Sequence, residues 1–140
     1  MGEDVLLRRH WLKAMYVLTA IGAGGFGLVA LFFPSFARSA FRFPIQDPAV
    51  FELYGSVSLA SGLIALLALR SPLKFVPMLF FQLVYKPIWL AVVAIPLFLQ
   101  GQFPFYVVVI SAIFLTFIIG DLIAIPFRYL FSKDQASLKP

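Results

Sequence analysis

The sequence predicts an all-α fold: a four-helix transmembrane bundle, one integral membrane domain over residues 1–140, with both termini cytoplasmic. Three observations predict it. The first is composition. The chain is 62% hydrophobic and 12% charged, with mean hydropathy +0.99, whereas a water-soluble domain carries about 25% charged residues. The second is four apolar runs, at about 14–33, 49–69, 75–99 and 105–125. Each is long enough to cross ~30 Å of hydrocarbon at 1.5 Å per residue. The third is the placement of charge. Arg8, Arg9 and Lys13 precede the first run, Arg70 and Lys74 join the second to the third, and Arg128, Lys133 and Lys139 follow the fourth. The connection at 34–48 has only two basic residues, Arg38 and Arg42, and the third connection has none. Positive residues stay on the cytoplasmic side, so both ends are expected there, in a plasma (inner) membrane.

The same composition excludes several classes. With no cysteine there is no disulfide, thiolate metal site or thiol nucleophile. His10, the sole histidine, precedes the first run, so a single chain cannot build a bis-histidine haem site within the bundle. The net charge of +5 is spread over span ends rather than gathered on one face, which argues against nucleic acid as a partner. No metal and no cofactor is implied.

Residues 1–13 are expected to form one or two helical turns on the membrane surface, with Trp11 as an interface anchor. The run at 14–33 is longer than the 7–15 apolar residues usual in a signal peptide, and Glu3 and Asp4 stand ahead of it, so it reads as a span. Its glycines follow no strand. Ala20/Gly24 and Ala23/Gly27 are spaced to let another helix approach closely. In the connection at 34–48, Phe36, Phe41 and Phe43 interleave with Arg38 and Arg42. That pattern suits an interfacial segment, or alternatively a lid over a pocket. Asp47-Pro48 is a helix start, with aspartate as N-cap and proline in the first turn. Gly55, Ser58, Gly62 and Ala65 then form one small-residue stripe that should face the bundle, with Glu52 at its margin. Residues 70–74 are a tight polar turn. In the third span Pro87 removes the helical donor of the Leu83 carbonyl and should disturb the helix there. Residues 100–104 are an uncharged hairpin. The fourth span carries Ser111, Thr116, Gly120 and Asp121, residues 127–131 leave the membrane, and 132–140 form a polar tail.

Three ionisable residues fall within the spans: Glu52, Lys86 and Asp121. The rise per residue puts Lys86 roughly 16 Å from the inner side, with each acid within roughly 6–8 Å of it along the membrane normal. A charge at that depth is costly and calls for a partner. The expectation is one direct ion pair with a second acid hydrogen-bonded nearby. Such a group either fixes helix register or lines a cavity. Gln82 shares a face with Lys86, and Tyr85 and Trp89 share the adjacent face, so the candidate ligand-binding residues are Glu52, Gln82, Tyr85, Lys86, Trp89 and Asp121. Convergent polar groups within apolar and aromatic walls describe a small-molecule pocket.

The stretch from Phe33 through the second span, carrying Tyr54-Gly55 and Ser61-Gly62-Leu63, resembles the small DoxX-like four-helix membrane proteins over about a third of the chain. The resemblance implies the four-helix fold. The wider four-helix group includes sterol-isomerase-like and sigma-2-receptor-like proteins, which hold acids in an intramembrane pocket for lipophilic amines or sterols. By that resemblance Glu52 and Asp121 would be those acids, while Lys86-Pro87 departs from the pattern. The expected function is binding or movement of a small lipophilic or protonatable ligand, with the bilayer and a possible homo-oligomer as partners. The alternatives are an accessory subunit of a membrane complex and a membrane enzyme, an isomerase or oxidoreductase-associated protein, using the acids.

Overall fold

In the computed structural model, residues 2–44 and 47–133 are described, with side chains from Arg9 onward. The expectations for the polar tail beyond Lys133 lie outside the described residues. The described residues are helical with short connections. Helix α1 runs through Gly2–Thr19, a π-helical turn at Ala20–Gly24, and Gly25–Phe32. Residues 2–13 are therefore not the separate surface helix that the sequence led us to expect. No glycine or proline stands between Glu3 and Ile21, and extending an existing helix adds a hydrogen bond for each residue fixed. Trp11 is half exposed near the start of the apolar stretch.

A short helix, α2 (Pro34–Phe41), follows. Proline stands in its first turn, and Arg42 ends it in the left-handed conformation at φ 56°. Helix α3 (Pro48–Ala68) starts as expected. The Asp47 carboxylate accepts from the Ala49 amide at 2.8 Å. Helix α4 comprises Val76–Trp89, a π-helical turn at Leu90–Ala94, and Ile95–Leu99. The π turn lies just beyond Pro87, where the ladder is already short of a donor. Helix α5 (Phe105–Ala124) ends ahead of Pro126, and α6 (Phe127–Leu130) is a single turn. Four stretches, Arg9–Phe32, Pro48–Ala68, Val76–Leu99 and Phe105–Ala124, are long and apolar enough to cross a membrane. This is the architecture of an integral multi-pass protein.

The packing follows the small residues. Gly55, Ser58, Gly62 and Ala65 are all buried, so the stripe on α3 faces inward as read from its spacing. It meets the glycines of α1. A Cβ at Gly62 would stand 2.8 Å from the Gly24 amide nitrogen, and one at Gly27 would stand 2.7 Å from the Gly55 carbonyl oxygen. These backbones touch because neither carries a side chain. Helix α1 also packs on α5, and α5 on α4. Consecutive helices α3 and α4 share no packed face of comparable extent. They are held together near their joining turn, where the buried Tyr16 hydroxyl of α1 donates to the Pro72 carbonyl at 2.6 Å. Around it Leu12, Met15, Ala65, Ala68, Val76 and Leu79 form the core of that end. At the other end Ala30, Ala37 and Phe51 seat α2 on the bundle.

Candidate functional site: a cleft between two spans

Because α3 and α4 do not close on each other, a cleft of about 780 Å³ opens between them. Its back wall comes from α1 and α5. Gly22, Ala23 and Gly25 leave room on one side, while Phe114 and Phe117 form the other. Helix α3 contributes Tyr54, Ser58 and Ser61, and α4 contributes Phe81, Tyr85 and Lys86. Helix α2 lies across one end through Phe36, Ala37, Ala40 and Phe41, followed by Phe43. There Phe26 meets Phe41 and Tyr54 edge-on at 5.5 and 5.6 Å between ring centroids. The interleaved phenylalanines of the first connection thus cover the cleft, the geometry of a lid. Arg38 and Arg42 lie on the faces of Phe51 and Phe105, at 5.1 and 4.9 Å from the ring centroids.

Lys86 is the only charged side chain among the described residues that line the cleft. It is 4% exposed. Its ammonium donates to Gln82 Oε1 at 2.8 Å, the pair four residues apart on one helix face. The ammonium lies 3.9 Å from the centre of the Phe117 ring, with Tyr85 and Phe114 at 5.5 and 5.7 Å. Three aromatic rings therefore surround the cation, and their negative faces replace part of its lost hydration. Trp89 extends the aromatic group edge-on to Phe114 at 5.3 Å.

Asp121 is fully buried on α5, one turn beyond Phe117 on the same face. Asp121 and Lys86 are the two charged side chains buried in the bundle among the described residues. Neither carboxylate oxygen has a hydrogen-bond partner, and the same holds for Gln82 Nε2 and Ser111 Oγ. The direct ion pair expected from the sequence is thus not formed. Lys86 bonds to an amide oxygen and a π face instead, because the i, i+4 amide on its own helix is nearer than an acid on another. Glu52 is not brought to the site. It points to the exposed side of α3, since the inward stripe begins one residue earlier, at Phe51, and continues at Gly55. Of the six candidate residues, only Tyr85 and Lys86 line the cleft; Gln82 accepts from Lys86, Trp89 packs edge-on against Phe114, and Asp121 is buried on α5 off the cleft.

Sequence reasoning missed Tyr54, Ser58, Phe114 and Phe117 as part of the site. A signal was available for the phenylalanines. Val107, Ser111, Phe114, Phe117, Asp121 and Ala124 recur at spacings of three and four and are the buried face of α5. Among the described residues no group of three or more metal-ligating acid, histidine or cysteine side chains occurs.

No family model, curated protein or solved structure matches this chain. The likeness to DoxX-like proteins gains no support from these comparisons.

Proposed function

We propose that this chain is a membrane protein with cytoplasmic termini that binds, within the bilayer, a small lipophilic molecule carrying one anionic or strongly hydrogen-bond-accepting head group. The observation that carries this reading is Lys86 at the wall of the α3–α4 cleft. An ammonium has three donors, and Gln82 takes one. A volume of about 780 Å³ lies in the range of ligand sites, and its lining is apolar apart from a few polar groups. A cation at the wall favours an acceptor over the lipophilic amine that an acidic pocket would select. The acids lie off the cleft, with Asp121 buried on α5 and Glu52 on the exposed side of α3, so proton transfer by an acid pair has no geometric support. A DoxX-like affiliation is compatible with the four-helix architecture and adds nothing to the ligand assignment.

The test uses cis-parinaric acid and its methyl ester with the protein in nanodiscs, read by energy transfer from Trp89 after Trp11→Phe. The acid is expected to bind more tightly than the ester, and Lys86→Met to erase the difference. A bulky substitution at the back wall that adds no donor, Ala23→Phe, should abolish binding of both. Equal affinity of acid and ester for the unsubstituted site would refute the role of Lys86.

A second reading, an accessory subunit or homo-oligomer, is favoured by one observation: Glu52 stands exposed on α3 with no ion pair among the described residues. Cross-linking from Glu52→Cys that captures a second chain would favour it, whereas a monomer in mild detergent would count against it.

A further inference from the structure

At the opposite end of the bundle from α2 a second cavity, of about 310 Å³, is formed by Arg9 of α1, residues 70–74 of the α3–α4 turn, and Tyr129 of α6. We propose that it binds the phosphate group of an anionic phospholipid. This inference is independent of the α3–α4 cleft and stands on three features of the cavity.

The first feature is charge. Arg9, Arg70 and Lys74 converge on the cavity from two elements distant in sequence, and no carboxylate lines it among the described residues. Asp47 and Glu52 stand at the other end of α3, and Asp121 is enclosed in the bundle. Three cations with no counter-charge among the described side chains attract a phosphate, and the two guanidinium groups can each grip it through paired N–H donors.

The second feature is pre-organisation. Arg70 and Lys74 flank Pro72, whose carbonyl is held by the buried Tyr16 hydroxyl at 2.6 Å. Turn hydrogen bonds close the same segment, from the Ser71 amide to the Ala68 carbonyl and from the Lys74 amide to the Ser71 carbonyl, each 3.1 Å. The basic residues thus stand on a backbone fixed to α1 rather than on a free loop, which reduces the ordering cost of binding.

The third feature is depth. The cavity sits where α3 has just ended and α4 is about to begin, beside the exposed ring of Tyr129. In a bundle that crosses a bilayer this is the head-group level, where tyrosine rings gather and phospholipid phosphates lie. A free phosphate ion presents the same chemistry to the same residues, so the experiment must separate the two sources.

The full chain is purified in detergent and examined by native mass spectrometry with phosphatidylglycerol or phosphatidylcholine. Phosphatidylglycerol should be retained in preference to phosphatidylcholine. Arg70→Gln with Lys74→Gln should weaken its retention about 30-fold, as expected for two head-group cations. Arg38→Gln with Arg42→Gln, equal in net charge but at the other end, should leave it unchanged. Tyr16→Phe keeps every charge and should weaken it several-fold by freeing the turn. Equal retention of both lipids would overturn the proposal, as would equal losses in the two double variants, which would mark a net-charge effect. Displacement of phosphatidylglycerol by millimolar inorganic phosphate would overturn the lipid assignment.

Discussion

Replacing Gly27 by alanine tests the packing that creates the cleft. The added Cβ would lie 2.7 Å from both the Gly55 carbonyl oxygen and the Leu59 Cα, and closer still to the Leu59 amide nitrogen. All three atoms are backbone of α3, so no side chain can swing away. Ordinary contact begins at 3.4 Å, so α1 and α3 must part by about 1 Å. A gap of that size forfeits a quarter to a half of each dispersion contact along the crossing, and in lipid no hydrophobic term between helices compensates. Overpacking costs about 1–3 kcal/mol, offset in part by the about 1 kcal/mol by which alanine favours helix over glycine. The net expectation is a loss of up to about 2 kcal/mol. Gly25→Ala is the internal control: a Cβ there meets nothing within 4 Å, so it should be neutral or stabilise by up to about 1 kcal/mol. Reversible unfolding in mixed micelles, titrated with SDS, measures both. Equal stability of the two variants would refute the close backbone crossing and, with it, the stated shape of the cleft's back wall.

Three further outcomes follow from the same geometry. Lys86→Met should destabilise the protein by leaving the buried Asp121 without its nearest opposite charge. Adding Asp121→Asn should recover much of the loss, giving a coupling of about 0.5–3 kcal/mol in a double-mutant cycle; strictly additive effects would show that the two do not share a charge environment. Phe117→Leu removes the ring 3.9 Å from the Lys86 ammonium, whereas Phe114→Leu removes one at 5.7 Å. The first should therefore cost more, by up to about 2 kcal/mol of cation–π attraction, in the same unfolding assay. Asp47→Ala removes the N-cap of α3, so hydrogen exchange at the Ala49 amide should quicken about fivefold with little change at the middle of the helix.

Much of the architecture was legible because it depends on local rules. The Asp47-Pro48 start of α3 and its inward stripe of Gly55, Ser58, Gly62 and Ala65 follow from cap chemistry and helical period, and both hold. The surface-helix reading of residues 1–13 failed for the lack of a break that would separate them from the span. The site was legible only in outline. Lys86 was singled out by its depth, but depth along the membrane normal says nothing about azimuth. Glu52 is at a plausible height and on the wrong face, and Asp121 is on the right face with Phe117 presented to the ammonium a turn before it.

The sequence by itself determined the crossings, because a backbone in hydrocarbon must satisfy its hydrogen bonds within the helix and twenty-odd apolar residues suffice to do so. It also determined which stripe of each helix could tolerate a neighbour, since that depends on side-chain size at spacings of three and four. Only the tertiary structure decided which helices are neighbours. Consecutive helices α3 and α4 stand apart while α1 fills the space against α3 and α5, because glycine backbones in contact outweigh adjacency in the chain. That choice opens the cleft and brings Lys86 to its wall, and no pattern confined to one helix contains it.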